Sequence, residues 1–144
     1  MRRAALFVIL LAGCRTVPVS TTTSTSTTGA DNGRAVIERF LNAAKAQDMQ
    51  ALAAAWGNNK GSIRDFTDRA TLEKQSLIAL KCLRHDQATI GAPSRGTGET
   101  LRMVVEMTQG SSKATPWFDV VKGPSNRWYV ENFEIVMLQN KGFC

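Results

Sequence analysis

The chain has 144 residues, 43% hydrophobic, 21% charged and 7% aromatic, with a formal charge of +6. That length suits one globular domain, and the composition excludes a collagen-like, coiled-coil or polytopic membrane protein. The apolar residues are unevenly spread. Residues 4–12 form one uninterrupted apolar run and 16–28 are nearly all Ser and Thr, so the folding unit is expected over residues 30–144.

Arg2 and Arg3 precede the apolar run. As a helix the run would cover only about 14 Å against a bilayer core of roughly 30 Å, so it predicts a signal peptide and not a span. It ends in Leu11-Ala12-Gly13-Cys14, which resembles the lipobox of bacterial lipoproteins. The resemblance implies removal of residues 1–13, a diacylglycerol on the Cys14 thiol, and acylation of the new amino terminus. An envelope location on a lipid anchor follows from it. Arg15, where an aspartate would favour inner-membrane retention, implies the periplasmic face of the outer membrane if the source is Gram-negative. The plainer alternative is an ordinary secretory signal with an incidental cysteine. Residues 14–29 then form a tether without apolar periodicity, whose flexible reach is about 20 Å. It reads as a spacer, with a glycosylated stalk as the alternative.

With Cys14 lipidated, Cys82 and Cys144 remain as a pair 62 residues apart. In an oxidising compartment this predicts a disulfide that fixes the C-terminal segment to the body. Two distant cysteines and the single His85 lack the number and spacing of a metal site, so no metal and no cofactor is expected.

Within 30–46, Val36, Ile37, Phe40, Leu41 and Ala44 recur at helical spacing, with Asp31 or Asn32 as cap. Asp48 is placed to cap a second helix, 49–56, and 57–61 reads as a loop. A third helix is expected over 68–83, with Leu72, Leu77, Leu80, Cys82 and Leu83 supplying its apolar contacts. Lys74, Lys81 and Arg84 then face solvent. The pattern changes after His85. Residues 87–92 are compatible with a short strand, 93–98 with a loop, and 101–107 alternate Leu101, Met103, Val105 and Met107 with outward residues. Further strands are expected over 115–121 and 128–138, joined by turns at 109–112 and 123–126 into an antiparallel meander. In the first of these, Phe118 and Val120 share one face, and Trp117, Asp119 and Val121 the other.

Helices followed by an antiparallel sheet define an α+β fold with the helices packed on one sheet face. The stretch from Val36 to Trp56, an aromatic-leucine helix, a short acidic turn and a Leu/Ala-rich helix, resembles the opening of nuclear-transport-factor-2-like (SnoaL-like) domains. The later helix and the Trp-containing last strand also fit. The resemblance implies a cone-shaped, curved sheet enclosing a pocket; a cystatin-like or other small α+β sheet is the rival.

Isomerase chemistry of that family requires a carboxylate base and separate oxyanion donors, and no such set is recognisable here. The candidate pocket residues are Trp56, Trp117, Asp119, Trp128 and Tyr129. For Asp119 the favoured reading is a solvent-facing strand residue, and for the tryptophans core packing. His85 at a helix end is explained by the helix dipole. The basic residues Arg64, Arg69, Lys74, Lys81 and Arg84 read as a solvated face interspersed with Asp65, Asp68 and Glu73, with attraction to an anionic membrane or envelope polymer as the alternative. No nucleic-acid partner is expected. The sequence therefore predicts an envelope-anchored, non-enzymatic interaction module, its partners being the membrane through the lipid and an envelope protein or a small apolar ligand. The alternatives are a pocket-based isomerase- or dehydratase-like enzyme and a structural accessory subunit.

Overall fold

The structure, a computed structural model, describes residues 27–144. The expected leader, Cys14 and the tether up to residue 26 lie outside the described residues.

Helix α1 (Gly33–Ala46) starts where the Asn32 side chain accepts a hydrogen bond from the Ala35 amide at 2.8 Å. It buries Val36, Ile37, Phe40, Leu41 and Ala44, the five residues whose spacing predicts it. Gln47 takes a left-handed conformation that stops the helix. Its Nε2 donates to the carbonyls of Ala44 and Leu80, tying this corner to the third helix. Asp48 caps α2 (Met49–Ala55) through the Ala51 amide at 2.9 Å, and Leu52 to Ala55 are buried. The expected loop beyond it is a small hairpin of β1 (Gly57–Asn58) and β2 (Gly61–Ser62).

Asp68 caps α3 (Arg69–Cys82) through the Thr71 amide at 3.0 Å. The side-chain and backbone hydrogen bonds from Thr71 hold its carboxyl below the ordinary aspartate value. The helix packs against α1 and α2 through Ser76, Ala79, Leu80 and Cys82. Leu77, expected among its apolar contacts, is instead 53% exposed. Ser76, Ala79, Leu80 and Leu83 fill the buried side at i, i+3, i+4 and i+7, and Leu77, about 100° round the helix from Ser76, falls at its edge.

Six strands follow: β3 (Gln87–Ile90), β4 (Ser94–Arg95), β5 (Leu101–Gln109), β6 (Ser112–Ala114), β7 (Trp117–Lys122) and β8 (Trp128–Phe133). The order is β3-β5-β7-β8, all antiparallel, with β4 and β6 as short additions on β5. Met103, Val105 and Met107 point into the core while Val104 is exposed, the alternation expected of a half-buried strand. Pro116 separates β6 from β7, since it has no amide to donate. Its carbonyl still accepts from the Val105 amide at 2.9 Å, so the two strands run on as one. α1 packs across β7 and β8, which completes an α+β architecture with the core between helices and sheet. Between Asp119 and Val120 the register shifts, leaving Glu131 as the extra residue on β8; such bulges bend a strand.

Two expectations about the chain ends are corrected. The last strand does not reach residue 138; it ends at Phe133, and Ile135–Asn140 form helix α4. Leu138 is fully buried and Val136 is 61% exposed, opposite outcomes for residues that would share a face in a strand. Residues 134–144 as a strand would extend about 35 Å beyond the sheet. The helix shortens that path, buries Phe143 and brings Cys144 to Cys82, where the two are bonded with Cα atoms 4.7 Å apart. That separation lies within the range a disulfide requires.

At the other end, the domain begins before residue 30. The Gly29 amide donates to the Ala54 carbonyl at 2.7 Å, and Ala30 pairs with Trp128. Arg39 donates to the carbonyls of Thr27 and Gly29, and Arg127 to those of Thr28 and Gly29 at 3.1 and 3.0 Å. Arg127 also pairs with the Asp31 carboxylate, and the Thr28 hydroxyl meets the Tyr129 hydroxyl at 3.0 Å. Gly29 has φ +63°, and a Cβ there would lie 2.6 Å from the Trp128 carbonyl oxygen, so only glycine fits this clasp.

Candidate functional site

The space between helices and sheet is where a pocket is expected. Four aromatic rings occupy it. Phe40 from α1 meets Trp56 edge-on at 5.8 Å, Phe118 at 6.4 Å and Phe133 at 5.7 Å, and Phe118 stacks on Phe133 at 5.7 Å. Such pairs contribute about 0.5–1.5 kcal/mol each beyond their burial. Phe40 and Phe118 are fully buried and Phe133 nearly so. The interior is thus filled by its own side chains, and the elements that predict a cone supply the residues that plug it.

Where the cluster reaches the surface it opens into a shallow groove of about 240 Å³ between α3 and the junction of β8 with α4, lined by Trp56, Ile78, Ala79, Phe133 and Ile135 with Gln75 and Asn132 at its rim. The groove is apolar. Ile78 is 51% exposed on its α3 side, and Val136 lies on α4 beside Ile135.

Asp119 lies on the opposite sheet face and departs from its expected exposure: it is buried. Its cross-strand partner on β5 is Arg102, whose Nε and terminal nitrogen donate to the two carboxylate oxygens at 2.7 and 2.6 Å. The loop after β4 lies against Asp119, where a Cβ at Gly96 would stand 2.2 Å from the Thr100 hydroxyl and 3.1 Å from the Asp119 carboxylate, while Arg102 stays partly exposed. The Arg102 guanidinium also stacks over Trp117 at 4.0 Å. Its hydrogen bonds to Asp119, helped by the charges of Asp119 and Glu134, raise its pKa against the opposing effect of desolvation. Arg102 is therefore held cationic. A carboxylate with both oxygens engaged by a guanidinium and only 7% of its side chain exposed offers a substrate little access, whereas a general base must reach the proton that it takes.

The five candidate pocket residues fall in three places. Trp56 belongs to the aromatic cluster and the groove. Trp117 and Asp119 stand with Arg102 on the outer sheet face. Trp128 packs against the core beside the start of α1, while Tyr129 closes the N-terminal clasp through Thr28. They do not converge on one site. His85 faces the Leu83 carbonyl at 2.8 Å through Nδ1, at the end of α3 where it is expected. Among the described residues no group of three or more His, Cys, Asp or Glu could hold a metal ion, and no helix is long and apolar enough to cross a membrane.

Three contributors escape sequence reasoning. Arg102 stands at an outward position of a clearly alternating strand, a signal that could have found it. Arg39 and Arg127 bond mainly to backbone carbonyls, which leave no complementary residue type to look for. Comparison of the chain with protein-family models, with curated proteins and with solved structures yields no match.

Proposed function

We propose that this chain is a lipid-anchored envelope lipoprotein whose nuclear-transport-factor-2-like domain is a non-enzymatic interaction module working through its surface. The observation that carries the reading is the plugged interior. Phe40, Trp56, Phe118 and Phe133 take the volume in which a cone-shaped domain would hold a substrate. The candidate carboxylate Asp119 is on the other sheet face and tied to Arg102. Recognition then falls to exposed apolar surface, which is concentrated around α3 and α4 at Leu77, Ile78 and Val136. The lipobox at Leu11-Ala12-Gly13-Cys14 and the Ser/Thr-rich segment behind it support attachment to a membrane. The bonded Cys82 and Cys144 support an oxidising compartment.

Native mass spectrometry of the protein extracted in mild detergent from its own envelope tests both halves of the reading. The expected species begins at Cys14, carries acyl groups there, and holds no small molecule. A mature chain starting elsewhere without acyl mass overturns the anchor. A stoichiometric small molecule that survives extraction and is lost on Phe133→Asp overturns the surface-only reading.

A further inference from the structure

The outward face of α3 has a composition that the interaction-module reading does not by itself explain. Lys74, Leu77, Ile78 and Lys81 follow one another at i, i+3, i+4 and i+7, which places them in a single stripe along the helix. All four are exposed, and Leu77 and Ile78 show 53% and 51% of their surface. Among the described residues neither lysine has an ion-pair or hydrogen-bond partner. The one acidic residue of the helix, Glu73, lies toward α2, where it borders a groove with Arg69, Met49 and Ala53. The centre of the stripe is apolar and its two ends carry the lysines, with exposed Glu73 at the edge of the stripe one turn before Leu77. Arg84, exposed just past the helix, extends the cationic end.

We infer that this stripe is a docking face for an anionic phospholipid surface, on which α3 lies in the interfacial plane. The inference rests on the lipid-anchor reading for the reason the domain meets a bilayer at all. The chemistry of the face selects the partner. Protein interfaces are enriched in aromatic residues and arginine and depleted in lysine. Aliphatic side chains flanked by lysines, which bury their stems and extend the ammonium groups outward, match the boundary between acyl chains and anionic headgroups. Ser76, Ala79, Leu80 and Cys82 make the buried contacts of α3, so the stripe is not part of the core, although Ile78 also borders the apolar groove. Distance is no obstacle. Residues 15–26 can span at most about 40 Å, comparable to the width of a domain whose radius of gyration is about 13 Å, so an anchored domain can turn any face to the membrane.

The test is amine-reactive footprinting of the full mature protein reconstituted into two kinds of vesicle, pure phosphatidylcholine and phosphatidylcholine with phosphatidylglycerol. The expected result is that labelling of Lys74 and Lys81 slows by about five-fold on the anionic vesicles relative to the neutral ones, as roughly 1 kcal/mol of attraction per lysine gives. Lys122, at the far end of β7, should react alike on both. The double variant Leu77→Ser/Ile78→Ser, which changes two residues that are more than half exposed, should stay folded with a melting temperature close to wild type and lose the protection. Equal rates for Lys74 and Lys81 on the two vesicles overturn the inference, as does uniform slowing of all three lysines. Protection that appears only in native envelope membranes assigns the face to a protein and also overturns it. Flotation with the neutral vesicles reads the anchor separately: protein that floats without selective protection refutes the docking face alone. Protein that fails to float yet shows selective protection on the anionic vesicles refutes the anchor alone.

Discussion

Replacing Cys144 by Ser removes the crosslink to Cys82 while changing a single atom of an exposed residue. The bond closes a loop of 62 residues. Chain entropy then gives a destabilisation of about 4 kcal/mol, arising in the unfolded chain, which gains freedom when the loop opens. In a domain of this size that corresponds to a melting temperature lower by about 15 °C. Because the effect lies in the unfolded state, a second signature is expected. The urea dependence of unfolding should steepen, since the opened chain exposes more surface. Equilibrium urea denaturation followed by Trp fluorescence measures both quantities. Reductant should bring the wild type to the variant's values and leave the variant unchanged. A loss below about 1 kcal/mol with an unchanged slope would refute the argument. Burial of Phe143 and Leu138 would then hold the C-terminal segment without help from the bond.

Three further outcomes are expected. Leu138→Ala should cost about 2–4 kcal/mol, as a large-to-small change at a fully buried site does, and Val136→Ala should stay within about 0.5 kcal/mol. Similar costs for both in urea titrations would restore the strand over 134–138. Asp119→Ala should lower the melting temperature by more than a surface substitution, which stays within about 0.5 kcal/mol, because it leaves Arg102 without its partner. A wild-type melting curve would mean that the pair is open to solvent. Asp68→Ala should destabilise the domain at neutral pH by loss of the α3 cap. The folded carboxyl is held below its ordinary value, so the stabilisation is fully present above the unfolded-state pKa and disappears as pH falls through the folded one. Wild type and variant should accordingly converge in acid, and a gap independent of pH between 7 and 2.5 would show that the carboxylate is not the source.

The parts of the fold that are legible in the sequence are those where one local rule acts alone. Phe40 and its neighbours at helical spacing behind Asn32 define α1, and Asp48 as a cap defines the start of α2. Alternation from Met103 to Met107 defines β5. Cys82 and Cys144, the two cysteines within residues 30–144, define the crosslink. Residues 135–138 offer no such rule. Ile, Val, Met and Leu in succession carry no period, and the β-branched pair biases the reading toward a strand. The position of Cys82 decides the matter from a distance. α3 misleads in another way, because it is apolar on both sides, and the small residues Ser76 and Ala79 turn out to face the core while Leu77 and Ile78 do not. The site was the least legible part. The solvent-facing reading of Asp119 fails because Arg102 and the loop at Gly96 cover it, and the five candidate residues are separated by strand pairing that only the assembled sheet determines.

The clasp at residues 27–29 has a consequence for how the domain can be joined to other chains. Arg39 and Arg127 grip carbonyl oxygens, which every amino acid presents alike, and Gly29 alone is specified by its surroundings. The upstream segment is thus held by its main chain and not by its spelling. A different segment spliced in ahead of Gly29 should keep the main-chain hydrogen bonds to Arg39 and Arg127, while the Thr28 hydroxyl contact to Tyr129 is lost. The residues ahead of Gly29 can therefore change without the socket that holds their main chain having to follow.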